Sequence, residues 1–138
     1  MKVFIAIKAP RGQPDLEALA EAAASATRQA GHTPFVASHA IARRGIADPA
    51  VFMPYVRAEM QDCALALVIY DPQLRGGLIE AGIAYAWQIP IWLACRPGEP
   101  LSSSARGCAQ RLIEFQTPQD LRLRLAEAYR TAETAAQA

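Results

Sequence analysis

The sequence predicts an α/β fold: a single domain over residues 1–138, with a Rossmann-like or flavodoxin-like parallel sheet and helices on both faces. Three observations predict it. Short β-branched apolar runs alternate with longer Ala-rich segments of helical period, the order expected when each strand is followed by a covering helix. The run "ALALVIYD" at 64–71 has no polar residue until its end, so this strand is buried on both faces, as in a sheet enclosed by two helix layers. A chain of 138 residues, 52% apolar and 20% charged, can bury a core without staples and is globular in composition.

The elements follow in order. "VFIAI" at 3–7 is the first strand. The segment from Asp15 to His32 has an N-cap in Asp15, apolar residues at helical spacing and Gly31 as a stop, so it is a helix. "TPFVASH" at 33–39 reads as a short second strand. "AIARRGIADPA" after it carries Arg43, Arg44, Gly45 and Pro49 without a clear period and reads as an exposed, mobile loop. Residues 50–63 have helical period, and "ALALVIYD" is the third strand. A Gly-bearing loop leads to a helix from about Leu78 to Gln88, then "PIWLACR" is the fourth strand. The last helix starts near Pro118-Gln119 and runs into an Ala-rich tail expected to fray after about residue 130. There is no internal repeat and no interdomain linker.

Bulk properties exclude several function classes. A net charge of +1 argues against a nucleic-acid polymer or a membrane surface as partner. Cys63, Cys95 and Cys108 are odd in number and lack C-x-x-C spacing, so neither a disulfide framework nor a zinc site is expected; no metal and no cofactor are expected either. "MKVFIAIKAP" lacks the charge and cleavage pattern of a signal peptide, and no run is long enough to span a membrane, which points to a cytoplasmic protein.

In an open parallel sheet, chemistry gathers where loops and helix N-termini converge beyond the carboxyl ends of the strands. Lys8 and Arg11 follow the first strand, His39 ends the second, Asp71 ends the third, and Arg96 with Ser102, Ser103 and Ser104 follows the fourth. Glu80 stands near the start of the helix after "ALALVIYD", alone among Gly, Ala, Leu and Ile. A carboxylate in such a setting suits cleavage of an N-glycosidic bond: it can stabilise the oxocarbenium-like charge or attack the anomeric carbon. The alternative is an acid that merely favours the first turn of a helix, worth under about 1 kcal/mol.

"FIAIKAPRG", "VASHA", "VIYDPQLRGGLIEAGIAYAWQIPIWLACRPG" and "LSSSARG", in that order, resemble the nucleoside 2-deoxyribosyltransferase family, and more closely its nucleoside 5'-monophosphate N-glycosidase branch. The resemblance spans roughly residues 3–130. The family's motif Gly-x-Gly-Tyr-Glu-Leu-Gly-x-Ala is matched by Gly76 or Gly77, Glu80, Gly82 and Ala84, and it implies that Glu80 is the nucleophile. Ile79 stands where the family has an aromatic residue or Met, and Ala81 where it has Leu.

Other roles are implied by the same resemblance. An acid must protonate the leaving base, and Asp71 and Glu59 are the candidates. Their alternative readings are a turn-initiating Asp before Pro72 and a solvated helix acid paired with Arg57. His39 falls where the phosphate-specific branch has a His, as a contact to base or sugar; the alternative is a structural His. The branch holds the 5'-phosphate with a Gly-Ser-Ile-Arg-Gly-Gly-Arg loop and a later serine. Here the first loop, from Ile7 through Lys8 to Arg11, keeps the positive charges and replaces the Ser and both Gly with residues that bring backbone less closely to a ligand. The hydroxyls of Ser102 to Ser104 and Arg106 suit a phosphate at a helix start, or a plain serine cap. Arg75 precedes the glycines and either neutralises phosphate or obstructs the pocket.

The expected ligand is a small-molecule nucleotide or nucleoside. The family is commonly dimeric or larger, so a homodimer or higher homo-oligomer is expected, with "VFMPYV", Tyr85 and Trp87 offering the surface. The expected activity is base release from a nucleoside 5'-monophosphate. Base exchange and a catalytically silent nucleotide-binding module are the alternatives.

Overall fold

The computed structural model describes residues 1–9 and 12–137. Five strands, β1 (Lys2–Ala6), β2 (Thr33–Val36), β3 (Cys63–Ile69), β4 (Ile91–Cys95) and β5 (Arg111–Glu114), form one parallel sheet in the order β2-β1-β3-β4-β5. Among the described residues the helices are α1 (Pro14–Gln29), α2 (Ala37–Arg43), α3 (Pro49–Met60), α4 (Gly76–Ala86), α5 (Ser103–Cys108) and α6 (Pro118–Gln137). The expected α/β architecture with helices on both faces is the one observed.

Residue parity in the central strands builds the two layers. Val3 and Ile5 of β1 with Leu65, Leu67 and Ile69 of β3 face α1 and α6. Phe4 and Ala6 with Ala66 and Val68 face the other side, where Val56 and Met60 of α3, Ala84 of α4 and Leu74 close the second core. Beyond Lys2, both faces of β1 and β3 are therefore apolar, and alternation of polar and apolar residues is absent from them. The α1–α6 pair is pinned by a buried bond: the Thr27 hydroxyl donates to the Ala23 carbonyl at 2.8 Å and accepts from Tyr129 Oη at 2.8 Å.

Several boundaries differ from the sequence reading. β2 ends at Val36, and residues 37–43 form a helix that replaces the last three residues of the expected strand and the first four of the expected mobile loop. Ala37 and Ala40, three apart, bury one side of this turn of chain, and Gly45 at φ +65° ends it. α1 is capped by Gln13 without a side-chain bond; Pro14 takes the first helical position, and Asp15 lies in the first turn. A fifth strand, β5, was missed because its four residues bury Ile113 alone, too short a pattern to show a period. α6 continues to Gln137 instead of fraying after about 130, since Ala-rich sequence sustains a helix that Leu121, Leu125, Ala128 and Tyr129 already anchor.

The chain winds from β1 outward to β2, then crosses to β3 on the other side of β1. This reversal opens a crevice between the carboxyl ends of β1 and β3. The loop after β3 seats α4 over that crevice. Leu74, buried in the second core, folds so closely onto Gly77 that a Cβ there would lie 2.6 Å from Leu74 Cδ1. Gly77→Ala is therefore expected to lower unfolding free energy by about 1–3 kcal/mol. Chemical denaturation of the two proteins checks it, and an unchanged midpoint would mean that Leu74 yields freely.

Candidate functional site

α4 is "GGLIEAGIAYA", with one ionisable side chain that can carry charge at neutral pH. Helical spacing puts Gly77, Glu80 and Ala84 on its sheet-facing stripe, and these three are its buried residues. Glu80, in the second turn, is 9% exposed and makes no ion pair or hydrogen bond among the described residues. Burial pushes its carboxyl up from 4.5 to about 7. A helix acid of the ordinary kind would point to water, so the first-turn reading of Glu80 does not describe this side chain. Glu80 lies one turn nearer the start of α4, and so nearer the carboxyl edge of the sheet, than Ala84.

The other groups at this edge arrive from four strands. Lys8, two residues beyond β1, donates from Nζ to Gln73 Oε1 in the β3–α4 loop and so bridges the two sides of the crevice. No carboxylate pairs with it among the described residues. Asp71 follows β3 and accepts from the Gln73 backbone N–H at 2.8 Å; it is the turn-initiating acid that one reading anticipated, and it stands at the same edge as Glu80. Arg75 caps α4 and reaches back to the Pro72 and Leu74 carbonyls at 3.4 and 3.3 Å, leaving the guanidinium exposed. Gly76 lies in open space and Gly77 is filled by Leu74. Ser102 caps α5, its hydroxyl accepting from the Ala105 N–H at 3.1 Å. Ser103, Ser104 and Arg106 lie in that six-residue helix at the β4 side of the edge, with exposed side chains or nearly so.

Three expected site residues are positioned otherwise. Glu59 sits at the end of α3, at the amino edge of the sheet, where Lys2 Nζ donates to its Oε2 at 2.6 Å and to its carbonyl at 2.7 Å. Lys2 and Cys63 start β1 and β3, so this pair stands a strand's length from the crevice and ties the fold together. Ile7 buries its side chain in the first core with Leu16 and Leu19, leaving only backbone for a ligand. His39 lies on α2 rather than at a strand end, with Nε2 3.3 Å from Glu17 Oε2 in the first turn of α1. It closes the β2 side of the edge. Arg11 lies outside the described residues.

The sequence reading passed over two groups. Tyr70 is the first residue after β3; its N–H bonds the Ala94 carbonyl at 2.8 Å and its side chain packs half-buried on the second core. Even parity with Ala66 and Val68 would have put it on the face of Glu80. Ser38, in the first turn of α2, has a hydroxyl sealed from solvent and without a partner among the described residues, which nothing in the structure explains. Among the described residues no group of three His, Cys, Asp or Glu could hold a metal, and no helix is long and apolar enough to cross a membrane.

The outer face of α4 is bare of charge. Leu78, Ile79, Tyr85 and Trp87 are 41%, 58%, 61% and 41% exposed. Val51 of α3 adds another exposed apolar side chain. One open hollow of about 530 Å³ lies at the amino edge of β4 beside Tyr85 and Cys108, and another lies between α1 and α6.

No family model matches the chain, and no curated protein matches it by sequence. Solved structures do match in fold. A CMP N-glycosidase from Clostridium botulinum superposes with a TM-score of 0.70 at 16% identity, covering 93% of this chain and 99% of that one. The 2-deoxyribosyltransferase of Bacillus psychrosaccharolyticus does so with a TM-score of 0.65 at 16% identity, covering 88% and 90%. A conserved protein from Enterococcus faecalis gives 0.66 at 15% identity, covering 93% and 98%. The fold is thus shared along nearly the whole chain with the kinds of protein that the residues resemble.

Burial of Glu80 couples stability to pH. Its folded-state pKa is raised, so the folded protein holds a proton that the unfolded chain releases. Stability from this group is full below about 4.5 and is lost as pH rises through about 7. Glu80→Gln cannot ionise, so between pH 5 and pH 8.5 it is expected to gain about 2–3 kcal/mol of stability relative to the parent. Urea unfolding at the two pH values measures this; a constant difference would show that Glu80 titrates normally.

Proposed function

We propose that the chain cleaves the N-glycosidic bond of a nucleoside 5'-monophosphate and releases the free base, with Glu80 as nucleophile. The observation that carries this reading is an unpartnered, buried carboxylate on the sheet-facing stripe of α4, the helix that follows β3 at the carboxyl edge where an open α/β sheet binds its ligands. The resemblance of the motif around Glu80 and the fold shared with an N-glycosidase and a deoxyribosyltransferase support it.

In this mechanism the ionised Glu80 attacks the anomeric carbon as the C–N bond breaks, and the departing base takes a proton from an acid at the same edge. Asp71 is the candidate for that acid; Glu59 is too far round the sheet. Water then attacks the anomeric carbon, giving its proton to the acid that the first step left ionised, and the C–O bond to Glu80 breaks, which releases sugar phosphate and restores the carboxylate. Lys8, whose Nζ has only a neutral partner, is suited to the phosphate dianion, together with Ser103, Ser104 and Arg106 from the β4 side. Ser102 is less suited, since its hydroxyl already serves the helix cap.

Base exchange is the second reading, and the deoxyribosyltransferase fold favours it. It uses the same Glu80 and replaces water by a second planar base. Hydrolysis is expected to equal or exceed exchange, because Leu78 and Ile79 beside Glu80 turn outward and give no wall against water. One labelled nucleotide with excess free base separates the two by the ratio of sugar phosphate to exchanged nucleotide.

The reading includes a homodimer or larger assembly. The uncharged outer face of α4 is the kind of surface that monomers seldom leave to water, and pairing it with the same face of a second copy would bury it. Tyr85→Glu is expected to lower the sedimenting mass of the parent to that of one chain; a parent already sedimenting as one chain would remove the assembly.

A screen of ribo- and deoxyribonucleoside 5'-monophosphates, with the matching nucleosides, tests the activity. Base release is expected from the monophosphates in preference to nucleosides, a preference that salt weakens by screening. Glu80→Gln should reduce it by about a hundredfold or more while the protein stays folded. Near-parental turnover would remove Glu80 from the chemistry, and nucleotide binding without release would make the chain a silent binding module.

A further inference from the structure

A nucleotide site that admits a planar base needs a flat apolar surface beside the anomeric carbon. The first loop offers none among its described residues, and Leu78 and Ile79 face away from the sheet. Tyr70 is differently situated. The β1–β3 register pairs Ala6 with Val68, and Lys8 and Tyr70 each lie two residues beyond that pair, at the carboxyl ends of neighbouring strands. Tyr70 shares the sheet face of Ala66, Val68 and α4, and therefore the face on which Glu80 is buried. One side of the ring rests on the second core. Among the described residues the ring stacks on no other aromatic, and its hydroxyl makes no hydrogen bond. The other aromatic side chains of the central sheet are paired: Phe4 with Phe35 at 5.6 Å, and Trp92 with Tyr129 at 5.1 Å between ring centroids.

We infer that Tyr70 is the surface on which the substrate's base stacks, beside Glu80 and Lys8, so that it sets affinity for the base while Lys8 takes the phosphate. This rests on the nucleotide-cleaving reading above. The backbone of Tyr70 is held by the Ala94 carbonyl, and its half-buried ring is already ordered before a ligand arrives, so stacking on it costs little further freedom.

The test compares a ligand with a base and one without. In the Glu80→Gln background, binding of CMP and of ribose 5-phosphate is measured by titration calorimetry for Tyr70, Tyr70→Phe, Tyr70→Leu and Tyr70→Ala. Leucine keeps the apolar packing and removes the aromatic face, so a loss in both Leu and Ala variants is not a loss of fold; melting curves verify that. The CMP dissociation constant should rise about 5- to 150-fold in Leu and Ala, stay near the parental value in Phe, and that of ribose 5-phosphate should not move. Parental CMP affinity in folded Tyr70→Leu would overturn the inference and leave the site reading intact. Equal weakening of both ligands would reduce Tyr70 to a support of the crevice. Failure of the parent to bind either ligand would overturn the site reading and this inference with it.

Discussion

The fold holds a carboxylate, Glu80, buried without a counter-charge among the described residues, and that desolvation is the cost its packing must meet. Glu80 loses most of its water and gains no hydrogen bond in return, which raises its pKa to about 7. Nothing local to α4 would hold it there, because every other residue of that helix is small or apolar and none can answer its charge. The cost is sustained by the two hydrophobic cores on either side of the sheet, and above all by the seating of α4 through Leu74 and Gly77. Strain or desolvation maintained by the surrounding fold in this way is a common mark of working sites.

The crevice follows from winding rather than from any one residue. Placing β2 and β3 on opposite sides of β1 separates their loops and exposes the carboxyl ends of β1 and β3 to a common space. Lys8 bridges that space to Gln73, and the Asp71 turn shapes its far side. The opposite edge has a different chemistry. There Lys2 gathers Glu59 and Asp62, at 2.6 and 2.9 Å, under the ring of Phe35, and the acids are consumed in holding β1 to β3. Two glutamates on successive helices thus have separate fates, one paired for structure and one left bare.

Much of this was legible in the residues. Strands such as "VFIAI" and "ALALVIYD" announce themselves because burial on both faces leaves no room for polar side chains. Glu80 stood out in the residues through the motif it shares with the resembled family, since its spacing alone fits an ordinary helix acid equally well. His39 was less so: "VASHA" carries β-strand and helix signals side by side, and the burial of Ala37 and Ala40 decided for helix. β5 was hidden by its brevity and its half-exposed character. Glu59 was named from the resemblance, with a pairing to Arg57 as its alternative; its actual partner is Lys2, 57 residues away, which no local spacing records.

The layered α/β class, the order of most elements and the edge at which polar groups collect are written in local period and in the geometry of parallel strands. The sequence also singled out Glu80, through the motif it shares with the resembled family. Tertiary structure alone decided that Glu80 is desolvated and unpaired, that Glu59 belongs to the far edge, and that Tyr70 shares a face with Glu80. Those are facts of long-range pairing and register. A one-residue change of parity would turn Tyr70 to the other side of the sheet, and no local pattern records which residues a strand will meet across it.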